Sequence, residues 1–252
     1  MKTHWRIILI ASLVLNLAII YVGYKALEYR EHINEFRDLY YDVVEEFSQR
    51  AVYADANQAL QSDTTVPGRA VFFGTQVIEK WNLETAFPDI EPVNRGIDGQ
   101  RVAGFLLRFR PDVIELRPEA VVIEVSSYNL RSNTRITEAQ DFVASLAELA
   151  LYHNIEPILT TMIAPVEGFE VFEDPGYVVK DSVAVYNRWL RAFAADGGYI
   201  LADWHSALSD SAGYLAAEYA ASRVDPNQLG YRRMADEIKR ALEAAGLQPT
   251  GP

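Results

Sequence analysis

Several residues suited to acyl transfer follow apolar runs of this sequence. Ser127 comes just after the run 120–125, and His205 comes just after the run 199–202. Asp225 precedes the last helical stretch. A hydroxyl nucleophile, an imidazole base and a carboxylate that orients the base are the parts of such a site. The same residues also have simpler roles, because serines cap strand ends and loop histidines are commonly solvated.

Five apolar runs predict strands, and the stretches between them have the periodicity of helices. Strands joined through helices form a parallel sheet, because right-handed crossovers place helices on both of its faces. The predicted fold class is therefore α/β, a three-layer α/β/α domain around a five-stranded parallel sheet. The predicted strands are 70–73, 92–95, 120–125, 157–161 and 199–202. The predicted helices of this domain are 76–85, 100–109, 137–152, 181–195 and 228–245.

Residues 1–24 are predicted to form a transmembrane signal-anchor. The stretch 7–24 has no charged residue and would be about 27 Å long as a helix, close to the thickness of a bilayer core. Trp5 and Tyr24 stand at its ends, as interfacial aromatic residues do. The end of the run lacks the small residues of a cleavage site, so we expect an uncleaved anchor. A buried core helix is the competing interpretation.

Charges around the anchor predict its orientation. Lys2 and Arg6 precede it, which favours an N-terminus in the cytoplasm. Lys25 and Arg30 on the other side weaken that preference. We expect a single-pass protein of the bacterial inner membrane, with its soluble domain in the periplasm or outside the cell.

Residues 25–68 are predicted to form a helical juxtamembrane stalk and a linker, followed by a domain at 69–246. The stretch 25–60 contains neither glycine nor proline, and 61–68 is rich in turn residues. Apolar residues of the stalk have heptad spacing, namely Ile33, Phe36, Tyr40, Val43 and Phe47. One interpretation is a homodimer or a contact with another envelope protein through 25–60. The other is a single amphipathic helix that packs on its own domain.

Composition excludes several classes of function. The formal net charge is −12, and an acidic chain without clustered Lys and Arg is a poor nucleic-acid binder, so no nucleic-acid partner is predicted. The chain has no cysteine, which excludes disulfides, thiolate zinc sites and a cysteine nucleophile. Neither a metal nor a cofactor is predicted. Asp98, Asp203 and Asp225 are candidates for one edge of the sheet, but they lack the spacing of a metal-binding motif.

Five sequence blocks between about residues 70 and 242 resemble the SGNH (GDSL) hydrolases. The first is VFFGTQVIEKW at 71–81, and the second is VNRGIDGQ at 93–100. AVVIEVSSYNL, ILTTMIAP and VDPNQLGYRRMADEI follow in the order of the family. The resemblance implies a flavodoxin-like α/β/α domain whose relatives act on acyl esters of glycans, lipids or cell-wall polymers.

The residues that would carry out the family's reaction are replaced in this sequence. The family has glycine, aspartate and the nucleophilic serine where this chain has Gly74, Thr75 and Gln76. The family's catalytic histidine falls on Asp225, and its triad aspartate falls on Ser222. An amide cannot attack an acyl carbon, so the resemblance implies the fold and argues against the reaction.

The resemblance also places the donors that would bind an oxyanion. One is the backbone N–H of Gly96, and the other is an asparagine whose position is taken by Tyr128. Asn129 is adjacent and would supply an amide if the register shifted by one residue. The predicted ligand-binding residues are Thr75, Gln76, Gly96, Tyr128, Asn129 and Asp225.

The sequence thus predicts a membrane-anchored, exported SGNH hydrolase-like protein that has lost esterase activity. It would act as a binding or scaffolding component of the cell envelope, with a glycan or an acylated polymer as its ligand. Two alternatives stay open. One is an active esterase or acyltransferase with a rebuilt site made of Ser127, His205 and Asp225. The other is a protein that dimerises or holds a partner through 25–60.

Overall fold

The computed structural model describes residues 2–61, 67–130, 135–169 and 178–247. The chain divides into two compact units, Met1–Phe47 and Ser48–Pro252. Most of the predicted linker 61–68 lies outside the described residues.

The first unit is formed by one helix, α1 (Lys2–Ser48), which at 47 residues is about 70 Å long. Its segment His4–Arg37 has a mean hydropathy of 2.4 in its most apolar window, and none of that window is buried. Among the described residues it is the one helix long and apolar enough to cross a membrane, a test that a signal sequence also passes. The predicted anchor and stalk are therefore one continuous helix, which ends at Ser48 rather than at residue 60.

The second unit begins before the predicted domain boundary at residue 69. A turn after α1 leads into α2 (Ala54–Gln61), whose Asn57 is 3% exposed. The Asn57 side chain donates to Asp112 Oδ1 at 2.6 Å and accepts from Arg95 Nε at 2.8 Å. These buried bonds fix α2 to the domain, so the segment predicted as the end of a stalk is part of the folded unit.

The sheet has five parallel strands in the order β2-β1-β3-β4-β5, which confirms the predicted fold class. Chain order reverses at β1, because β2 lies on one side of it and β3 on the other. Loops that leave such neighbouring strands in opposite directions open a crevice at the carboxyl edge of the sheet. The strands are β1 (Arg69–Gly74), β2 (Glu91–Gly96), β3 (Ala120–Ile123), β4 (Glu156–Thr160) and β5 (Ile200–Ala202).

Helices cover both faces of the sheet, and successive residues of β1 pack on opposite faces. Phe73 packs edge-on against Phe105, with ring centroids 5.1 Å apart, and Phe72 packs against Trp81 on the other face at 5.9 Å. The predicted helix 76–85 is divided in two, because the Asn82 side chain accepts the N–H of Thr85 and starts a new turn. The domain helices are α3 (Gln76–Glu79), α4 (Leu83–Ala86), α5 (Val102–Asp112), α6 (Ile136–Tyr152), α7 (Val179–Gly197), α8 (Trp204–Leu208) and α9 (Gln228–Ala244).

The two outer strands, β2 and β5, leave little edge open. β5 has three residues. On β2, Arg95 Nη1 donates to the Asn94 carbonyl at 2.6 Å, and Asn94 Oδ1 accepts the Gly96 N–H at 2.9 Å. The Tyr53 hydroxyl donates to the Gly96 carbonyl. Side chains therefore satisfy the polar backbone groups at the carboxyl end of this edge strand.

Candidate functional site

The crevice lies where β1 and β2 end side by side, since Gly74 is paired with Gly96. Both positions require glycine because the chain has no space for a Cβ. A Cβ at position 74 would lie 2.5 Å from Glu124 Oε2, and a Cβ at position 96 would collide with the backbone of Glu79. The glycines thus let the β1 and β2 loops approach β3 and α3 closely.

Gln76, at the family's nucleophile position, is the first residue of α3 and is 6% exposed. Its Nε2 lies 3.5 Å from Ser126 Oγ. That hydroxyl also accepts the Tyr128 N–H at 3.1 Å. The structure therefore places an amide at the head of the crevice, hydrogen-bonded to the loop after β3, where an acyl hydrolase needs a hydroxyl next to a base.

Glu124 is a buried carboxylate of this site that sequence reasoning missed. It follows β3 and is 3% exposed, and its Oε2 accepts the Thr75 N–H at 2.6 Å and the Thr75 hydroxyl at 2.8 Å. Burial raises its pKa to about 7, although the two bonds from Thr75 act in the opposite direction. The family motif has its carboxylate at position 75, whereas here a carboxylate reaches position 75 from the next strand. In the sequence, Glu124 could have been recognised as a single charged residue within the apolar run 120–125.

Asp225 and Ser222, at the family's histidine and aspartate positions, form a different cluster. Asp225 Oδ2 accepts from Lys80 Nζ at 2.9 Å and from Ser222 Oγ at 2.9 Å. Asp225 Oδ1 is buried and has no hydrogen-bond partner among the described residues. The bond to Asp225 raises the pKa of Lys80. An ion pair, rather than an imidazole and its carboxylate, therefore lies at this side of the crevice.

The predicted oxyanion donors are engaged by the protein itself. The Gly96 N–H donates to Asn94 Oδ1 at 2.9 Å, as described above. Asn129 is 4% exposed, and its Oδ1 accepts the Val102 N–H at 2.9 Å while its Nδ2 donates to the Gln100 carbonyl at 3.3 Å. Tyr128, which stands at the family's asparagine position, is half-buried beside Ser126. Gly96 and Asn129 thus hold the loops in place.

The alternative set of Ser127, His205 and Asp225 is not connected by hydrogen bonds among the described residues. Ser127 is buried in a 3₁₀ turn (Ser127–Asn129). Burial, and secondly the nearby Arg191 cation, lower the pKa of His205, which hydrogen-bonds the Gly213 backbone. Asp225 is bonded to Lys80 and Ser222 instead. These contacts do not assemble a nucleophile with its base.

Arg108 is a second buried charge that the sequence did not reveal. Its Nη2 donates to the Gly74 carbonyl at 3.1 Å and its Nη1 to the Arg95 carbonyl at 2.9 Å. Nη1 also contacts Asp112 Oδ2 at 2.8 Å, and Nε donates to the Gln100 side chain. Burial lowers the pKa of Arg108 to about 10, so it remains a cation at neutral pH. One guanidinium thus fixes the ends of both β1 and β2.

A cavity of about 700 Å³ opens beside the Lys80–Asp225 pair, between α4 and α9. Its lining includes the aromatic side chains of Trp81 and Tyr231 and the cations Lys80, Arg232 and Lys239. This volume falls within the range of small-molecule sites in proteins. No group of three or more His, Cys, Asp or Glu residues in the described part of the chain is placed to hold a metal ion.

A three-layer α/β/α domain with its crevice at the ends of β1, β2 and β3 is the architecture of GDSL-type hydrolases. The sequence model of the GDSL-like lipase/acylhydrolase family matches residues 68–233. That match covers more than half of the chain, so the protein belongs to this family. No curated protein matches the chain.

Solved structures share the fold. A GDSL-like lipase from Bacteroides thetaiotaomicron has a TM-score of 0.71 and 29% identity, over 79% of this chain and 99% of that chain. An acetylxylan esterase from Geobacillus stearothermophilus has a TM-score of 0.56 and 21% identity, over 69% of this chain and 94% of that chain. A member of the lipolytic G-D-S-L family from Veillonella parvula has a TM-score of 0.57 and 17% identity, over 68% and 96% of the two chains.

Proposed function

We propose that this protein is a membrane-anchored component of the cell envelope whose GDSL-like domain binds an acylated ligand without hydrolysing it. The observation that carries the proposal is the set of groups at the family's three catalytic positions. Gln76 presents an amide, and Ser222 and Asp225 form a cluster closed by Lys80. Position 76 therefore lacks the nucleophilic hydroxyl, and position 225 lacks the imidazole, of an acyl hydrolase of this family.

The members of a catalytic triad contribute to the rate non-additively. Removing one member of a Ser-His-Asp triad already removes most of the rate, and what remains comes from ligand binding and oxyanion stabilisation. With all three positions changed, selection for that reaction no longer acts on the site. The buried bonds that shape the crevice, made by Glu124 and Arg108, are nevertheless complete. A site that keeps its shape without its nucleophile supports binding.

The ligand class follows from the family and from the groups around the crevice. The family acts on acyl groups, and glycans or other acylated polymers of the envelope carry such groups on hydroxyl-rich chains. Gln76, Ser126 and Tyr128 offer polar atoms at the head of the crevice. The neighbouring cavity adds cations and aromatic edges along α9. An extended ligand would contact both groups of residues.

The location is part of the proposal. The apolar half of α1 would anchor the chain in the bacterial inner membrane, and the basic residues Lys2 and Arg6 favour a cytoplasmic N-terminus. The domain would then face the periplasm or the outside of the cell. This is where acylated glycans and cell-wall polymers occur.

The loss of catalysis is tested with p-nitrophenyl acetate and a fluorophosphonate label on the purified full-length chain. We expect no turnover above background and no labelled serine. The variant Gln76→Ser regains the hydroxyl but not the base, and we expect it to remain unlabelled. Labelling of Ser126 or Ser127 in the wild type, lost in His205→Asn, would refute the proposal and support an active esterase.

Ligand binding is tested with O-acetylated xylo-oligosaccharides and with the same oligosaccharides after removal of the acetyl groups. Tryptophan fluorescence should report tighter binding of the acetylated form, and Gln76→Leu should weaken it. Arg240→Gln, an exposed change on α9 outside the cavity lining, is the matched control and should bind as the wild type does. Equal affinity for both forms would contradict an acyl-binding crevice.

A further inference from the structure

The part of α1 that follows the apolar segment carries an exposed apolar stripe. Tyr29, Ile33, Phe36 and Tyr40 are each between 65% and 74% exposed. They are spaced by four, three and four residues, so they lie along one side of the helix as the a and d positions of a heptad. In sequence the same spacing continues to positions 43 and 47. We call these four residues the stalk seam.

Charged residues are sorted around the stalk seam by sign. Between residues 25 and 37, every basic residue falls at an e or g position beside the seam, and every acidic residue falls at a c or f position on the far side. The basic residues are Lys25, Arg30, His32 and Arg37, and the acidic residues are Glu28, Glu31 and Glu35. In coiled coils the e and g positions choose the partner, because they face the partner's own e and g residues. Lys25 contacts Glu28 at 2.7 Å and His32 contacts Glu35 at 3.2 Å along the helix. The side of the helix that faces a covering partner is therefore the basic side, while the acidic residues lie behind it.

A second copy of this chain is a poor partner for the seam. Two copies anchored through their N-termini in one membrane run parallel, and a g residue then faces the e residue five positions later on the other helix. Lys25 would face Arg30 of the second copy, and His32 would face Arg37. The like charges of Lys25 and Arg30 disfavour the pairing. The sorting thus disfavours the homodimer that heptad spacing by itself suggests.

The membrane surface is a second candidate, because basic residues beside an apolar stripe also occur in helices that lie on anionic lipids. Such a helix would have to bend away from the membrane-crossing segment. In the structure α1 is unbroken from Lys2 to Ser48, so the seam continues along the axis of the apolar segment. Arg37 lies about 18 Å beyond Lys25 along the helix, more than twice a physiological Debye length of about 8 Å. Lipid charge does not reach that far.

We propose that the stalk seam binds a helix of another membrane-anchored protein, and that this helix has apolar a and d residues flanked by acidic e and g residues. The proposal uses the membrane anchor of the proposed function but not its ligand crevice. It assigns the two parts of the chain different tasks. The domain would bind an envelope polymer, while the stalk would fix the domain beside a partner protein.

The test uses the full-length chain in nanodiscs of phosphatidylcholine and two synthetic helices as probes. Both probes have three heptads with the same leucine and isoleucine core, one with glutamate and the other with lysine at every e and g position. Fluorescence anisotropy should show the acidic helix binding at least about tenfold more tightly, a difference of about 1.4 kcal/mol. The preference should shrink in 1 M salt, where the Debye length is about 3 Å.

A charge-reversal variant and its control test whether the preference depends on the residues beside the stalk seam or on the overall charge of the helix. In Arg30→Glu/Arg37→Glu we expect the preference to reverse towards the lysine helix. Glu31→Gln changes a charge on the far face and should leave the preference as it is. Equal binding of the two probes, or no binding of either, would overturn the proposal.

Two further measurements test whether the membrane surface or a second copy covers the stalk seam. Neither measurement depends on a ligand or an activity of the domain. The chain has no cysteine, so Phe36→Cys carries a single environment-sensitive dye on the seam. Its emission should be the same in neutral nanodiscs and in nanodiscs with phosphatidylglycerol, and light scattering should give one chain per particle. A blue shift with the anionic lipid alone would assign the seam to the membrane surface. A dimeric mass would assign it to a second copy, and either result refutes the proposal.

Discussion

Two ion pairs of similar length flank the crevice, and they differ almost completely in exposure. Arg108 and Asp112 lie 2.8 Å apart with side chains 0% and 1% exposed. Lys80 and Asp225 lie 2.9 Å apart with side chains 46% and 17% exposed. The first pair is shared with the backbone of β1 and β2, whereas the second involves the loop before α9.

The difference shows which part of a hydrolase fold can change without loss of the fold. A buried charge that loses its partner costs several kcal/mol, so the Arg108 side of the crevice is constrained by folding itself. An exposed ion pair contributes little, so the Asp225 side is constrained mainly by chemistry. The residues on the exposed side can therefore change while the sheet stays intact.

Arg108→Met should have the largest effect on stability. This change leaves the Asp112 carboxylate buried without its cation, and two strand-end carbonyls lose a donor. We expect the free energy of unfolding to fall by about 3–5 kcal/mol, measured by urea titration of the full chain in detergent. Arg110→Met, an exposed change on the same helix, should stay within about 0.5 kcal/mol of the wild type. Similar losses in the two variants would show that Arg108 is not the constraint.

The pH dependence of Glu124 gives the next largest effect. Its folded pKa of about 7 lies above the ordinary value of 4.5, so the folded state binds this proton more tightly than the unfolded chain does. The stabilisation of the folded state by protonated Glu124 is therefore fully present below about pH 4.5 and is lost as pH rises through 7. The free energy of unfolding falls by at most about 1.4 kcal/mol per pH unit over this range. Glu124→Gln should remove this decline of about 3 kcal/mol between pH 4.5 and 7. Glu115→Gln, an exposed change, should keep it, and an unchanged slope in Glu124→Gln would contradict the assignment.

The smallest expected effect is the coupling between Lys80 and Asp225. A double-mutant cycle with Lys80→Ala and Asp225→Asn should give a coupling energy of about 0.2–1 kcal/mol. The value should fall further in 1 M salt, because the Lys80 side chain is 46% exposed and ions can screen its charge. A coupling of several kcal/mol would make this side of the crevice as constrained as the Arg108 side.

The strands could be predicted from sequence because their signal is local. Residues 70–73 and 120–123 are all apolar, as expected for strands buried on both faces. The positions of the family's motifs were equally visible, since each is a short block. The end of the stalk could not be predicted from local sequence, because the hydrogen bond that holds α2 joins Asn57 to Asp112, which is 55 residues away.

The sequence predicted which residues occupy the site but not which residues they contact. Gln76, Ser222 and Asp225 were identified as replacements, but the Lys80 partner of Asp225 lies 145 residues from it in sequence. Glu124 and Arg108 were missed because a charge inside an apolar segment has no local sign of the partner that makes its burial tolerable. The bond that Asn129 accepts from the start of α5 was hidden for the same reason.

The covered carboxyl end of β2 would limit association between copies of a protein confined to one membrane. Proteins tethered to one membrane meet each other at a far higher effective concentration than free proteins do. An open strand edge would then invite sheet-to-sheet association and aggregation. With Arg95, Asn94 and Tyr53 bonded to the backbone groups at the end of β2, this end of the strand offers no template for another strand.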